Sequence, residues 1–182
     1  MMSQIEPRQV AAANRLIERL MKTVLELAPG AARLRLTRIR DSATWPSYDV
    51  TNSVALRGRW IGAMHRNQPL SDWRDFLPAL LAGQCALHQV VQVRSAAPAF
   101  GFPSARPSRV LVCPVTGADG QLLGAIFFGW DCDAQPPAGA ALHALIAAAN
   151  GLAMRIAAVL DLCAELSRPA PACVDERISQ VA

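Results

Sequence analysis

The sequence predicts an α+β domain: a central antiparallel sheet with the N-terminal and C-terminal helices packed on one face. Two observations predict this class. The stretch Arg109–Asp131 contains two apolar segments joined by the turn Thr116–Gly120, and Asp119-Gly120 is a strong hairpin signal because glycine tolerates a positive φ. Helical patterns lie near both ends of the chain, and strands alternate with helices too rarely between them for a doubly wound parallel sheet.

The first helix is predicted over residues 7–28, where apolar residues recur at i, i+3 and i+4 with charges between them. The pair Pro29-Gly30 ends it. Residues 32–40 then alternate leucine with arginine or threonine. This alternation predicts a strand with one face in solvent.

The segment after the loop 41–46 admits two interpretations. Val50, Val54 and Leu56 alternate with polar or small neighbours, which favours a strand around residues 53–58. A helix that starts after Asn52 and runs to Met64 is the alternative.

The next helix is expected to have Ser71 as its N-cap, since serine accepts hydrogen bonds from the free N–H groups of a first turn. Pro78 must then lie in the first turn or kink the helix. A short strand is predicted over residues 88–93. The loop 95–108 that follows has a length typical of functional or mobile segments.

The last helix is predicted from about residue 137 to residue 167. One domain is expected over residues 1–167, followed by a flexible tail over residues 168–182. Residues 134–154 carry no formal charge, but their two prolines and the predominance of alanine favour a buried helix, so we expect no membrane insertion.

The charge of the chain comes almost entirely from arginine. There are 17 arginines and one lysine, Lys22, and the net charge is +4. The densest basic cluster, residues 33–40, contains no aromatic residue, so we expect no nucleic-acid partner. The five cysteines lie at scattered positions with no C-x-x-C pair, which predicts reduced thiols in the cytoplasm and no metal site.

The hairpin carries a resemblance to a known family. An apolar strand with proline near its end, Cys113-Pro114-Val115, is followed by the turn Asp119-Gly120 and by Leu123-Gly124-Ala125 in the middle of the next strand. This pattern resembles the GAF domains, a family of small-molecule sensors. The resemblance implies a ligand site beside the sheet and terminal helices that pair in a dimer. The chain lacks the NKXnF-type motif of the cyclic-nucleotide-binding members and the cysteine of the bilin-binding members, so the ligand and any cofactor stay unassigned.

The resemblance implies a pocket between the sheet and the segments from the second to the third strand. The candidate ligand-binding residues in that region are aromatic or polar: Trp45, Tyr48, Asn52, Arg57, Trp60 and Trp73. The alternative is that the tryptophans fill the core or form an interface, and that Arg57 lies at a solvated strand edge.

The helical stripe over residues 142–163 is longer than one small sheet should cover, which predicts a homodimer. The expected interface residues are the apolar positions Leu20, Val24, Leu145, Leu152, Ile156 and Val159. The main hypothesis is a non-enzymatic sensory domain that binds a small molecule and signals to a protein partner through this helix pair.

Two further hypotheses remain. One is a pocketless adaptor or inhibitor of mobile-element or phage origin, which would have a filled interior and exposed tryptophans. A thiol enzyme similar to a methionine sulfoxide reductase would need a reactive cysteine with a resolving partner. The sequence around Cys85 and Cys113 indicates neither a lowered pKa nor such a partner.

Overall fold

The computed structural model describes residues 7–40, 47–55, 68–89, 109–130 and 134–167. Within these residues the elements follow one another as helix α1, strands β1 to β3, a 3₁₀ turn, helix α2, strands β4 to β6 and helix α3. Their bounds are α1 Pro7–Glu26, β1 Ala31–Arg40, β2 Ser47–Ala55, β3 Gln68–Pro69, the 3₁₀ turn Leu70–Trp73, α2 Leu77–Leu81, β4 Ala86–Gln89, β5 Arg109–Thr116, β6 Leu122–Trp130 and α3 Gly139–Ser167.

The described strands form one antiparallel sheet in the order β3-β2-β1-β6-β5-β4. Helices α1 and α3 both pack on one side of it, which we call the helix face. The buried residues of this face include Met21 and Leu25 of α1, Leu152 and Ile156 of α3, and Phe128 of β6. The predicted fold class, a central antiparallel sheet with the terminal helices on one face, is therefore confirmed.

The 3₁₀ turn and α2 lie on the opposite side of the sheet, which we call the aromatic face. A second buried cluster occupies it. Its members come from β2, α2, β5, β6 and the segment of the 3₁₀ turn: Tyr48, Val50, Trp73, Phe76, Leu80, Val110, Val112, Ala125 and Phe127. The sheet is thus covered on both sides, and each side has its own core.

The predicted hairpin joins β5 to β6. The Gly117 N–H donates to the carbonyl of Gln121 at 2.9 Å, and the Gln121 N–H donates to Asp119 Oδ1 at 2.9 Å. Gly120 adopts a φ of 82°, the left-handed conformation that the Asp-Gly pair predicts. The hairpin therefore forms where the sequence places it, with Thr116 opposite Leu122.

The middle of β6 approaches β1 so closely that only glycine fits. A Cβ added at Gly124 would lie 2.1 Å from the carbonyl oxygen of Thr37. The Thr37 hydroxyl in turn donates to the carbonyl of Ala125 at 3.1 Å. The glycine in Leu123-Gly124-Ala125 is therefore required by the contact between the two central strands.

Several local predictions need correction. Residues 71–81 form a 3₁₀ turn and a separate five-residue helix, and Ser71 is not an N-cap: Pro69 precedes the turn and no side chain caps it. Pro78 does lie in the first turn of α2. Strand β1 is not half-solvated, since Arg35 is 2% and Thr37 3% exposed.

The ambiguous segment is a strand as far as it is described. β2 runs continuously to Ala55, so the alternative of a helix beginning after Asn52 is wrong for residues 53–55. β4, Ala86–Gln89, overlaps the predicted strand 88–93 at residues 88 and 89 and begins two residues earlier. Residues 56–58 and 90–93, the loops 41–46 and 95–108, and the tail 168–182 lie outside the described residues.

Candidate functional site

Tyr48 and Trp73, two of the predicted ligand-binding residues, meet on the aromatic face. Trp73 is fully buried, and its ring centroid lies 4.8 Å from that of Tyr48. The 3₁₀ turn that follows β3 brings Trp73 over the sheet, and the Phe76 N–H donates to the Trp73 carbonyl at 3.0 Å. The pairing of β3 with the start of β2 therefore fixes the position of the turn beside Tyr48.

The rings continue from Trp73 across the sheet. The ring centroid of Phe127 in β6 lies 5.5 Å from that of Trp73, with the rings edge to face. The ring centroid of Phe76 lies 5.6 Å from that of Phe127. The His88 ring of β4 lies 5.6 Å from Phe76. Tilted and edge-to-face geometries of this kind are favoured by the ring quadrupoles. We call Tyr48, Trp73, Phe76, His88 and Phe127 the aromatic cluster.

Tyr48 forms the polar end of this cluster. Its hydroxyl donates to Asp72 Oδ2 at 3.3 Å. Burial, assisted by the negative charge of Asp72, raises the pKa of Tyr48 above its ordinary value. Tyr48 is therefore a neutral phenol at physiological pH and can take part in hydrogen bonds on this face.

Arg35 lies beyond Tyr48 on the same face, near the centre of the sheet. It is opposite Ser53 of β2 and Phe127 of β6. Burial, and after it the repulsion of Arg33, lowers the pKa of Arg35 to about 10, while Tyr48 opposes part of this shift. Arg35 is still a cation at neutral pH, and Arg33 stands two positions earlier on the same side of β1.

The polar part of the aromatic face contains hydroxyl groups as well as cations. Ser53 Oγ and Thr51 Oγ1 are buried and have no hydrogen-bond partner among the described residues. Buried hydroxyls usually have a partner, and each one without a partner costs about 1–3 kcal/mol. Asp49 lies on the opposite side of β2 from Tyr48 and forms an ion pair with Arg40. Arg35 and Ser53 thus lie next to Phe127 of the aromatic cluster, with Arg33 two positions before Arg35 on the same side of β1, while Thr51 is the extra residue of the β2 bulge.

Asn52 does not join this group. It pairs with Leu36, whose side chain belongs to the core of the helix face, and Asn52 lies on that side. The reason is an extra residue in β2, Thr51, between the pairs Thr37–Val50 and Leu36–Asn52. This bulge reverses the alternation of the strand, so Ser53 takes the place on the aromatic face that Asn52 would have had.

Trp45, Arg57 and Trp60 lie outside the described residues. Sequence reasoning missed Arg35, Ser53, Phe76 and Phe127. The sequence signal for the burial of Arg35 is indirect. β5 and β6 are apolar at consecutive positions, which is typical of strands in a sheet that is covered on both faces.

The predicted dimer residues divide into two groups. Leu145, Leu152 and Ile156 are at most 2% exposed and form part of the core between α3 and the sheet. They have almost no surface left for a partner. Leu20, Val24 and Val159 are half-buried against the same core. The dimer itself stays a prediction.

The outer side of α3 has a different set of exposed residues. They are small or apolar and recur every three or four positions: Ala147, Gly151, Met154, Ala158 and Leu162. We call this set the α3 seam. Met154 is 74% exposed. Gly139–Leu162 is long and apolar enough to cross a membrane by length and composition, and its inner side packs on the sheet.

Cys85 has a neighbour that the sequence did not indicate. The pair Ala86–Val112 places Cys85 next to Cys113 at the end of the β4–β5 ladder. A hydrogen bond from the Cys113 thiol lowers the pKa of Cys85, with burial acting in the opposite direction. The expectation that Cys85 has neither a partner nor a lowered pKa is therefore wrong.

No protein-family model matches the sequence. No curated protein is significantly similar to it. The fold, however, matches solved structures over nearly their whole length. The blue-light absorbing form of the PixJ GAF domain of Thermosynechococcus elongatus has a TM-score of 0.60 and 13% identity, covering 90% of this chain and 96% of that chain.

Two further structures show the same likeness. The GAF domain of a two-component sensor histidine kinase of Bacillus halodurans has a TM-score of 0.55 and 12% identity, covering 85% of this chain and 97% of that chain. The second is a protein in its far-red absorbing dark state with bound biliverdin IXα. It has a TM-score of 0.55 and 11% identity, and the match covers 86% of this chain and 98% of that chain. The chain therefore has the GAF fold.

Proposed function

We propose that this chain is a non-enzymatic sensory domain that binds a small anionic molecule on its aromatic face. The observation that carries the proposal is Arg35, a cation only 2% exposed, beside Arg33 and next to the aromatic cluster. The domain acts in the cytoplasm as a helix-paired dimer and passes its state to a protein partner.

The charge on this face supports an anion as the ligand. Burial and the nearby Arg33 destabilise the charged form of Arg35, as the lowered pKa shows. A bound carboxylate or phosphate would reverse both effects, because guanidinium groups form short, charge-assisted and often bidentate hydrogen bonds with these groups. Each such bond contributes about 1.5–3 kcal/mol.

The hydroxyls and rings around Arg35 support an organic ligand with a planar part. Ser53 Oγ and Thr51 Oγ1 offer donors or acceptors that no described residue uses. Tyr48 lies between the cations and the rings, because it interacts electrostatically with Arg35 and its ring contacts the ring of Trp73. A ligand at this boundary would place its anionic group on Arg35 and its planar part along Tyr48.

The pocketless adaptor keeps one supporting observation. The rings of Trp73, Phe76 and Phe127 fill part of the aromatic face by contacting one another. That hypothesis also needs exposed tryptophans, whereas the two tryptophans among the described residues, Trp73 and Trp130, are fully buried. The ligand-binding proposal accounts for the buried cation as well, so we prefer it.

The dimer would form through the α3 seam. Its spacing of three and four residues is that of a helix-pairing stripe, and small residues allow two helices to approach closely. Ligand binding would then shift the populations of two arrangements of the paired helices.

The test is native mass spectrometry of the gently purified protein, alone and with added biliverdin IXα as a planar dicarboxylate probe. We expect a dimer that carries a small anionic adduct, either co-purified or biliverdin. Arg35→Gln should abolish the adduct. Arg38→Gln is the matched control, because Arg38 lies on the same strand but is exposed on the other side, and it should keep the adduct.

Each other outcome counts against part of the proposal. An adduct that survives Arg35→Gln would place the ligand elsewhere, and no adduct in either preparation would favour the adaptor. A monomeric mass would contradict the helix-paired mechanism.

A further inference from the structure

Two cysteines on the helix face, Cys85 and Cys113, form a second candidate site. Cys85 precedes Ala86 and Cys113 follows Val112, and Ala86 pairs with Val112 in the β4–β5 ladder. Cys85 and Cys113 are thus the next residues of the two chains beyond the last pair of the ladder, and a hydrogen bond joins their thiols. Cys113 belongs to the core of the helix face and Cys85 packs against it, so both side chains lie on the same side of the sheet.

The end of α2 holds Cys85 in this position. The Gln84 N–H donates to the carbonyl of Ala79 at 2.9 Å, which turns the chain out of the helix and into β4. Residues directly opposite in an antiparallel pair have Cα atoms about 4.5–5.5 Å apart. A disulfide accepts Cα separations of about 4.4–6.8 Å. The last pair of the ladder, Ala86–Val112, precedes the two cysteines directly, and both thiols are free.

The two thiols have different surroundings. Cys85 is half-buried, beside the exposed residue Gln84, whereas Cys113 is fully buried. The hydrogen bond from Cys113 lowers the pKa of Cys85, and the bond to Cys85 together with burial raises the pKa of Cys113. Cys85 is therefore the thiol that ionises first and that an oxidant reaches first.

Asn150 of α3 completes the site. The Cys85 thiol donates to Asn150 Oδ1 at 3.1 Å. An amide offers an acceptor on one side and a donor on the other. After Cys85 ionises, rotation of the amide presents Nδ2 to the thiolate, so one side chain supports both protonation states.

We propose that Cys85, Cys113 and Asn150 form a peroxide-reactive dithiol site that closes into a disulfide. The Cys85 thiolate attacks a hydroperoxide, ROOH: an S–O bond forms, the O–O bond breaks, and ROH leaves after taking up a proton. Cys85 becomes a sulfenic acid. The Cys113 sulfur then attacks Cys85 Sγ, an S–S bond forms, and the hydroxyl leaves as water with the proton of Cys113. Two electrons pass from the thiols to the peroxide, and an external dithiol reverses the reaction.

Oxidation at this site would alter a contact of α3. When Cys85 Sγ bonds to Cys113, it loses the thiol proton that it donates to Asn150. The site lies on the opposite face of the sheet from Arg35, so this inference does not depend on the proposed ligand.

The test uses the full-length reduced protein. It is treated with about one equivalent of hydrogen peroxide, alkylated with N-ethylmaleimide and mapped by mass spectrometry without reduction. We expect a linked pair of peptides containing Cys85 and Cys113, with loss of two hydrogens and reversal by dithiothreitol. No linkage, or linkage of other cysteines at the same rate, would overturn the proposal.

Variants separate the two steps. In Cys113→Ala, dimedone should trap a sulfenic acid at Cys85 and no disulfide should form; in Cys85→Ser, Cys113 should stay unmodified. Asn150→Asp places a negative charge beside Cys85 and should slow its oxidation about tenfold, whereas Asn150→Ala should slow it less. Equal rates in the two Asn150 variants would remove Asn150 from the site. Circular dichroism checks that each variant is folded, and the wild-type peptide map decides the proposal if one is not.

Discussion

At the scale of single residues, the buried cation on the aromatic face should lower the stability of the ligand-free protein. The pKa of Arg35 in the fold is lowered to about 10, so the surroundings disfavour its charge. Burial is the largest cause of this shift, and an apolar side chain of similar length does not carry the cost of desolvating a charge. We expect Arg35→Met to raise the free energy of unfolding by about 1–2 kcal/mol in the absence of ligand. Urea denaturation measures this.

The control for this prediction is Arg38→Met, at an exposed position of the same strand, which should change stability by less than about 0.5 kcal/mol. A basic group whose pKa is lowered by folding is charged in both the folded and the unfolded state at every pH below its folded pKa. In that range its cost to the folded state is therefore constant. The effect of Arg35→Met should therefore be equal at about pH 6 and about pH 8. A marked loss of stability would mean that Arg35 is a structural residue.

The sequence predicts β1 but not the environment of its residues. The alternation of leucine and arginine is the same in a solvated strand and in a strand with a polar, covered face. The difference lies in what covers the strand, and that depends on residues far away in the chain, such as Trp73 and Phe127. The bulge at Thr51 is equally invisible in the sequence, and it places Asn52 on the helix face, away from Tyr48.

At the scale of elements, the sequence is most informative where local chemistry alone decides the structure. The hairpin is one such case, since Asp119 and Gly120 make the turn without outside help. The long helices are another, because their apolar periodicity is repeated over many turns. The 3₁₀ turn and α2 were merged into one helix because both are short and their separation depends on the packing of Trp73 and Phe76 against the sheet.

The contact between the two central strands gives a prediction at this scale. Gly124→Ala would place a methyl group 2.1 Å from the Thr37 carbonyl oxygen, and backbone must move to accept it. We expect a loss of about 3 kcal/mol or more in the free energy of unfolding.

Gly151→Ala is the matched control for the monomeric protein, because an added Cβ there meets nothing within 4 Å in the same chain; Gly151 belongs to the α3 seam, so the comparison is made at concentrations at which the protein is monomeric. Since alanine is the better helix former, Gly151→Ala should gain about 0.5–1 kcal/mol. Thermal unfolding should be compared at protein concentrations at which both variants have the same oligomeric state. A neutral Gly124→Ala would mean that β1 and β6 can separate at little cost.

At the scale of the whole molecule, the covered sheet separates two kinds of chemistry. The aromatic face holds the cations and hydroxyls around Arg35, and the helix face holds the thiols Cys85 and Cys113. The thiol pair contacts α3 through Asn150. Both proposed inputs therefore lie against the same sheet, and the exposed side of α3 is the surface through which either could reach a second chain.

That surface leads to the prediction about assembly. The α3 seam leaves Met154 74% and Leu162 55% exposed. If a second copy covers it, a charge placed in the middle of the seam must be buried without a partner, which costs several kcal/mol. We expect Ala158→Glu to convert the dimer to a monomer in sedimentation velocity. Ala118→Glu makes the same change in the exposed hairpin turn and should leave the dimer intact. If both variants stay dimeric, the copies meet through another surface, and if wild type is monomeric, α3 is free to contact a different protein.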